Sequence, residues 1–143
     1  MTNHQLPKFG VLICFEDAFP HIVRKFVKRG ALFMVNITND AWFRRSSGPY
    51  QHALSSVFRA VENRVPLIRS ANTGFSCFIS AKGEVIDRVC DTSGRDLFVT
   101  GYKTCEINLS KISTFYTKWG DLFAILCIVF SAAYIVCFVL TPR

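Results

Sequence analysis

A long apolar stretch near the end of the chain limits its architecture more than any other feature. Residues 122–140 read LFAILCIVFSAAYIVCFVL and carry no charged side chain. At about 1.5 Å per residue, a helix of this length reaches about 28 Å, close to the bilayer core of about 30 Å. A helix in a soluble core normally keeps a polar stripe, and this segment has none. The sequence therefore predicts a transmembrane helix; the alternative is a very apolar helix buried in a protein partner.

The residues before this segment alternate between short apolar runs and helical spacing. Strands are predicted at 9–14, 31–37, 67–71, 75–80, 84–88, 97–102 and 104–108, and helices at 20–29 and 49–63. A hairpin turn is expected at Lys82-Gly83. Strands that first alternate with helices and then follow one another indicate an α/β or α+β fold. We expect a folded domain over residues 1–117, followed by a membrane helix and short tail over 118–143.

The spacing in the second helix predicts which side faces the core. The predicted apolar face carries Tyr50, Ala53, Leu54, Val57, Phe58 and Val61. The predicted polar face carries Gln51, His52, Ser55, Arg59, Glu62 and Asn63.

Charge and cysteine content argue against several classes of function. The net charge of +7 comes from scattered basic residues, without a helix-turn-helix or zinc-finger pattern, so we expect no nucleic-acid partner. A solvated basic surface that faces anionic lipid headgroups fits better. The six cysteines include no CxxC pair, so we expect no metal site, and no residue pattern calls for a cofactor.

Cys14 is the candidate nucleophile because of its position. It ends a buried strand and precedes a helix, which is where α/β proteins place their active sites. Glu16 and Asp17 follow and could accept its proton, although acidic residues are also favoured at a helix start. His21 and His52 leave a cysteine–histidine pair open. Most free cysteines are inert core residues, so position alone does not decide.

A second candidate segment follows the second strand. Residues 36–43 (NITNDAWF) combine amides, a carboxylate and two aromatic rings in a loop. Such a loop either lines a substrate site or plugs the core. The substrate-lining interpretation names Asn39, Asp40 and Trp42.

Several motifs together resemble the carbon–nitrogen hydrolase superfamily, and most closely its apolipoprotein N-acyltransferases. The strand ending in ICFEDAFP (13–20) resembles the nucleophile segment. The following motifs resemble later segments in the same order: NITNDAWF (36–43), GPYQH (48–52), RAVENRVPLIRSANTGFS (59–76), FISAKGEVI (78–86) and TFYTKWGDLFA (114–124). The likeness runs from about residue 9 to 140.

The resemblance implies a four-layer α-β-β-α fold, of which this chain encodes only the C-terminal part. It implies a Glu–Lys–Cys triad with Cys14 as nucleophile and Glu16 as a supporting carboxylate. Phe15 stands where the family often has tyrosine and, with Asn39, Asp40 and Trp42, would line the substrate site. The base glutamate and the lysine lie upstream in the family. The residues before Cys14 contain Lys8 but no glutamate, so we expect a truncated or split product that needs a missing N-terminal half.

The implied activity is acyl transfer in lipoprotein maturation. A phospholipid acyl donor would acylate Cys14, and the N-terminal amine of a diacylglyceryl lipoprotein would accept the chain. The implied location is the bacterial cytoplasmic membrane, with the enzyme domain on its outer (periplasmic) face. Two alternatives remain: a nitrilase-type amidase that releases ammonia, and an inactive or split membrane-anchored fragment.

Overall fold

A computed structural model describes residues 6–109 and 111–140, with the backbone alone at Leu140. Its elements follow in chain order: β1 (Phe9–Ile13), α1 (Pro20–Lys28), β2 (Phe33–Asn39), α2 (Gly48–Asn63), β3 (Leu67–Asn72), β4 (Cys77–Ile79), β5 (Val85–Arg88), α3 (Phe115–Trp119) and α4 (Leu122–Leu140). Two short 3-10 turns cover Cys14–Ala18 and Ala41–Phe43. The mixed α/β fold predicted from the sequence is confirmed.

The five strands form one sheet in the order of the chain. β1, β2 and β3 are parallel because α1 and α2 return the chain to the same edge each time, and β4 and β5 add on as antiparallel hairpin strands. Gly83 takes φ +88 in the predicted hairpin turn. Cys14 and Asp40 each follow the carboxyl end of a parallel strand, so the candidate segments meet at one edge.

One face of the sheet is covered by helices, and the other face is largely accessible. One face packs against α1 and α2 and forms the core with Leu12, Val23, Met34, Leu67 and Ile79. The other face carries apolar side chains that remain accessible, including Phe9, Ile13 and Ile37, which are 55%, 58% and 52% exposed. Parallel strands that are apolar on both sides are normally covered on both faces.

Helix α2 is rotated relative to the predicted orientation: Ala53 is buried as predicted, but much of the predicted apolar face is exposed or only partly buried. Tyr50, Leu54 and Phe58 are exposed. The buried residues are Pro49, His52, Ala53, Ser56, Arg59, Ala60 and Asn63. The prediction was wrong because it assigned polar side chains to solvent, whereas here they meet buried charged partners from the sheet and the first 3-10 turn.

The two strands predicted at 97–102 and 104–108 are not formed. Phe98 takes φ +56, which interrupts an extended segment. This segment is held instead by single contacts: Phe98 N–H donates to the Thr73 carbonyl at 3.0 Å, and the Tyr50 hydroxyl donates to Asp96. Apolar residues alone did not distinguish a strand from a packed loop here.

Helix α3 joins the domain to α4. Its carbonyls accept hydrogen bonds from Arg24 of α1: Nε lies 3.0 Å from both Tyr116 O and Thr117 O, and Nη2 lies 2.8 Å from Lys118 O. Thr117 Oγ1 also donates to Asn63 Oδ1 of α2 at 3.0 Å. Within the described residues, Leu122–Val139 is the only helical stretch that is long and apolar enough to cross a membrane. The boundary predicted at residues 117 and 118 falls inside α3.

Candidate active site

Cys14 occupies a strained backbone position at the carboxyl end of β1. Its φ is +52, in a region that residues other than glycine rarely adopt. The side-chain amide of Asn36, on the neighbouring strand, donates from Nδ2 to the Cys14 carbonyl at 3.0 Å. The half-buried thiol is therefore carried on a turn that the adjacent strand holds in place. Strained positions of this kind cluster at functional sites because the surrounding structure must maintain them.

Glu16 closes the same turn from the other side. Its carboxylate Oε2 accepts a hydrogen bond from the Ile13 backbone N–H at 2.8 Å. This bond links the last residue of β1 to the 3-10 turn. The geometry suits a supporting carboxylate that orders the backbone around Cys14.

Three of the predicted substrate-lining residues are accessible near this edge. Phe15 is 53% exposed and stacks on His52, with ring centroids 4.7 Å apart. Trp42 is 82% exposed. The exposed Asn39 accepts bonds through Oδ1 from Asn72 Nδ2 at 3.0 Å and from the backbone of Ala41. Phe15 and Trp42 lie in the 3-10 turns that follow β1 and β2, and Asn39 is the last residue of β2.

Asp40 differs from these three. It is 1% exposed, and its carboxylate faces His52, Arg69 and Thr38 in the interior. Within this chain it has no surface with which to line a substrate. The sequence named Asp40 as substrate-lining, but positively charged partners from α2 and β3 hold its carboxylate inside.

Four charged side chains form a buried network directly beneath the turn. Asp17 accepts from Arg69 Nη1 at 2.9 Å and from Ser56 Oγ at 2.5 Å, and its Oδ1 lies 3.1 Å from His52 Nε2. Asp40 lies 2.8 Å from His52 Nδ1 and 3.1 Å from Arg69 Nη2. All four side chains are at most 1% exposed.

His52 is a cation in this network. Burial by itself lowers the pKa of His52, but the hydrogen bonds to Asp17 and Asp40 outweigh it and raise the pKa to about 9. Only the doubly protonated ring can donate to both carboxylates. Two carboxylates then balance one imidazolium and one guanidinium. Arg69 Nη2 also lies 2.8 Å from His52 Nδ1, and both atoms are donors. The positive charge of Arg69 therefore lowers the pKa of His52, but not enough to cancel the increase caused by the two carboxylates.

The partners of His52 also act on Asp40. Although burial favours the neutral acid, the hydrogen bond from His52 and the charge of Arg69 hold the pKa of Asp40 below its ordinary value. Asp40 is therefore ionised at neutral pH, as the charge balance requires.

The network connects to the nucleophile turn at several points. Asp17 belongs to the turn, and its backbone carbonyl accepts from Arg59 Nη1 at 3.1 Å. Arg69 Nη1 also donates to Asn36 Oδ1 at 3.2 Å, and Asn36 in turn holds the Cys14 carbonyl. The conformation of Cys14 thus depends on buried charges that do not touch the thiol.

Sequence reasoning missed most of this network. The predicted polar face of α2 included His52, and the predicted apolar strands included Asn36 and Arg69 without a role for either. The available signal was their position, because a polar residue inside an apolar strand needs a buried partner. Asn36 and Arg69 are moreover direct neighbours across β2 and β3.

The cysteine–histidine alternative is not supported by this geometry. Both ring nitrogens of His52 face carboxylates, and His21 is exposed with its ring near Phe19.

In the described part of the chain, no three His, Cys, Asp or Glu side chains are placed to hold a metal ion. Arg59 and Glu62, one turn apart on α2, form an ion pair at 2.7 Å.

Comparison with known proteins locates this arrangement in a family. The carbon-nitrogen hydrolase family model matches residues 2–115. A solved carbon-nitrogen hydrolase from Helicobacter pylori G27 superposes with a TM-score of 0.53 over 59% of this chain and 37% of that chain. Its 18% sequence identity makes this a likeness of fold.

Curated relatives are more similar in sequence. The apolipoprotein N-acyltransferase of Geobacter metallireducens is 46% identical over 85% of this chain, and that of Thermotoga maritima is 35% identical over 86%. Apolipoprotein N-acyltransferase 1 of Treponema denticola is 38% identical over 84%. The chain spans only 22%, 23% and 21% of the lengths of these three proteins, in order.

Proposed function

This chain belongs to the carbon–nitrogen hydrolase family, and we propose that it is the C-terminal part of an N-acyltransferase that uses Cys14 as its nucleophile. The acyl group passes from a phospholipid to the N-terminal amine of a diacylglyceryl lipoprotein. The observation that carries this proposal is the position of Cys14, on a strained turn at the carboxyl end of β1 with its backbone held by Asn36 and Glu16. The sequence similarity to named apolipoprotein N-acyltransferases supports the choice of reaction.

The reaction proceeds in two steps. The Cys14 thiolate attacks the carbonyl carbon of a phospholipid ester; a C–S bond forms, the ester C–O bond breaks, and the lysophospholipid leaves with a proton. The amine of the lipoprotein then attacks the thioester; a C–N bond forms, the C–S bond breaks, and the thiol is restored. Each step needs a base for the proton and a donor for the oxyanion.

In this proposal the base and the oxyanion donor come from a second half-domain. The turn that carries Cys14 uses its own carboxylate, Glu16, to bind backbone. The exposed apolar face of the sheet, which includes Phe9, Ile13 and Ile37, offers a surface on which another sheet can pack. An N-terminal half that carries a glutamate and a lysine would then complete both the core and the site. Phe15, Asn39 and Trp42 line the substrate path, and Asp40 orders the turn from inside.

Acyl trapping tests the role of Cys14. The chain would be joined to the upstream region of a curated relative, supplied with phospholipid, and analysed by intact mass spectrometry. We expect a mass increase of one acyl group on Cys14 that hydroxylamine removes. Cys14→Ala should abolish it, while Cys90→Ala, at an exposed cysteine outside the turn, should leave it unchanged. Persistence of the adduct in Cys14→Ala would refute the proposal. Ammonia release from small amides without acylation would indicate an amidase.

The location of the domain is the second part of the proposal. Helix α4 anchors the chain in the bacterial cytoplasmic membrane, and the domain lies on its outer face. Cys90 is exposed and can report this in a Cys14→Ala background. A membrane-impermeant maleimide should label Cys90 in spheroplasts before lysis, and the Cys14→Ala, Cys90→Ala variant sets the background. Labelling that requires lysis would place the domain on the cytoplasmic side.

A further inference from the structure

A cavity of about 660 Å³ lies at the opposite end of the sheet from Cys14. Its walls come from the residues that precede β1, β2 and β3, from the end of α1, and from the segment leading into α3. Cys14 follows the other end of β1, which at about 3.3 Å per residue is roughly 17 Å long. The cavity is therefore separate from the candidate active site.

All the charged side chains that line this cavity are positive. Four of its lining residues are lysines, namely Lys8, Lys28, Lys111 and Lys118, and no lining residue is acidic. Among the residues that the structure describes, none of these four forms a salt bridge. Lysines usually spread over a surface to keep their charges apart, so four around one concavity favour an anionic occupant.

Apolar side chains also line the cavity. Val27, Ala31, Leu32 and Val65 are among its lining residues, together with the lysines. An inorganic anion would leave this surface uncovered. An amphiphile that carries a phosphate at one end and hydrocarbon at the other satisfies both parts of the lining.

The cavity also lies at the level where a membrane would present such a molecule. Lys118 precedes by four residues the start of α4 at Leu122. The headgroup layer is about 5–7 Å thick on each side of the hydrocarbon core, and four residues span at most about 14 Å even when extended, so Lys118 lies in or next to that layer. Trp119 is 62% exposed at the same level, as expected of an aromatic residue at the membrane interface.

Hydrogen bonds join α3, which leads into α4, to the helices beside the cavity. Thr117 lines the cavity, is buried, and is bonded to Asn63 of α2. Arg24 of α1 binds the carbonyls of Tyr116, Thr117 and Lys118. These bonds hold the lysines on α1 and on α3 together at the end of the domain from which α4 begins.

From these observations we propose that the lysine cavity binds the headgroup of an anionic phospholipid in the leaflet that α4 enters. The phosphate lies among the four ammonium groups, and the glycerol and upper acyl chains lie against the apolar lining residues. The bound lipid anchors the domain against the membrane at a site that takes no part in acyl transfer.

Lipid titration followed by native mass spectrometry tests this site. The full 143-residue chain in a mild non-ionic detergent would be titrated with phosphatidylglycerol and, separately, with phosphatidylcholine. We expect the anionic lipid to bind at least about tenfold more tightly. Removing one lysine near a lipid surface weakens binding about fivefold, so Lys28→Gln with Lys118→Gln should weaken phosphatidylglycerol binding about 30-fold. Binding of phosphatidylcholine should not change.

A matched variant controls for net charge. Lys25→Gln with Lys82→Gln removes the same charge from lysines that do not line the cavity, and Lys25 lies on the same helix as Lys28. We expect this variant to bind like the unmodified chain. Equal weakening in both double variants, or no weakening in the cavity variant, would overturn the proposal. Thermal unfolding by circular dichroism verifies that both variants are folded.

Two further arms distinguish a lipid site from a general phosphate site and from the active site. Inorganic phosphate that displaces the lipid at millimolar concentration would show a phosphate site without lipid specificity, and would overturn the proposal. Cys14→Ala should bind phosphatidylglycerol normally, because the cavity lies at the other end of the sheet. The lipid-binding proposal can thus be refuted while the proposal of acyl transfer by Cys14 stands, and the acyl-transfer proposal can be refuted while the lipid-binding proposal stands.

Discussion

Among single residues, His52 makes the stability of the molecule depend on pH near neutrality. Its pKa is raised from an ordinary value of 6.5 to about 9, so the folded state binds a proton that the unfolded state releases between these values. The stability that this proton contributes is fully present below about pH 6.5 and is lost as the pH rises through about 9. Because a tenfold change in proton affinity corresponds to about 1.4 kcal/mol, the contribution is roughly 3 kcal/mol.

Replacing His52 should remove this pH dependence. We predict that His52→Gln lowers the free energy of unfolding at pH 6 by about 3–4 kcal/mol, since Gln cannot balance the charge of Asp17 and Asp40. The decline between pH 6.5 and 9 should flatten at the same time. Urea unfolding at several pH values measures both effects. His21→Gln, at an exposed histidine, should keep the wild-type profile; a flat wild-type profile would contradict the network.

Gly74 shows how closely Asp40 is packed. A Cβ atom at this position would clash with the carboxylate of Asp40, so alanine must displace a buried and paired side chain. We predict that Gly74→Ala lowers the free energy of unfolding by about 3 kcal/mol, the upper range of overpacking. Gly94→Ala is the control. Gly94 has φ +78 but no neighbour within 4 Å, so the cost there should be only about 1 kcal/mol for the backbone. Equal losses would contradict the close packing.

Among the elements, α3 has its closest tie to α1 through Arg24. This guanidinium binds the carbonyls of Tyr116, Thr117 and Lys118, at the end of a helix too short to satisfy all of its own carbonyls. We predict that Arg24→Gln lowers the free energy of unfolding by about 2 kcal/mol, because hydrogen bonds from a charged donor are lost.

The same substitution should loosen the junction between the domain and α4. Amide hydrogen exchange should therefore speed up in residues 115–120 more than in the sheet. Arg29→Gln, at an exposed arginine after the end of α1, should change neither value. Unchanged exchange in Arg24→Gln would show that two other bonds to α2 suffice, from Thr114 Oγ1 to the Glu62 carbonyl and from Thr117 Oγ1 to Asn63 Oδ1.

Helix α2 shows the limit of periodicity at the same scale. Its apolar stripe is real, but Leu54 and Phe58 on that stripe are 52% and 58% exposed, while His52 and Asn63 are buried. An apolar stripe identifies the inward face of a helix only where the core beneath it is apolar. Here the core beneath α2 contains Asp17, Asp40 and Arg69, and polar residues that pair with them turn inward.

For the whole molecule, the uncovered sheet face is the main consequence of having one layer of helices. Phe9, Ile13 and Ile37 are more than half exposed, and they form part of a face made of apolar residues on neighbouring strands. Exposed apolar patches of this kind associate in water. We predict that the chain self-associates in detergent solution.

Substitutions on that face should reduce the association without unfolding the sheet. Ile13→Thr with Ile37→Thr keeps the β-branched shape and removes apolar surface. Sedimentation velocity should show a shift toward the monomer. Leu54→Gln, on α2 at the other side of the sheet, serves as the control. Association that depends on Leu54 and not on the sheet face would assign the contact to the helical layer.

The sequence determined the elements that depend on local order. Apolar runs and helical spacing located β1 to β3, α1 and α2 to within a few residues, and the uncharged stretch at 122–140 located α4, because periodicity and length depend on neighbours in the chain. The order of motifs predicted the family and placed Cys14 at the end of a strand.

Tertiary structure alone decided what the polar residues do. The 3-10 turn after β1, α2 and β2–β3 bring Asp17, His52, Asp40 and Arg69 together from four separate parts of the chain. No local sequence pattern predicts this cluster, because the strength of an ion pair depends on the distance between the two charges in space and on the exclusion of water around them. The same holds for residues 97–108, whose apolar side chains do not join the sheet as strands. Side-chain burial is a property of the assembled layers, and it decided both which face of α2 turns inward and which charges lie beneath Cys14.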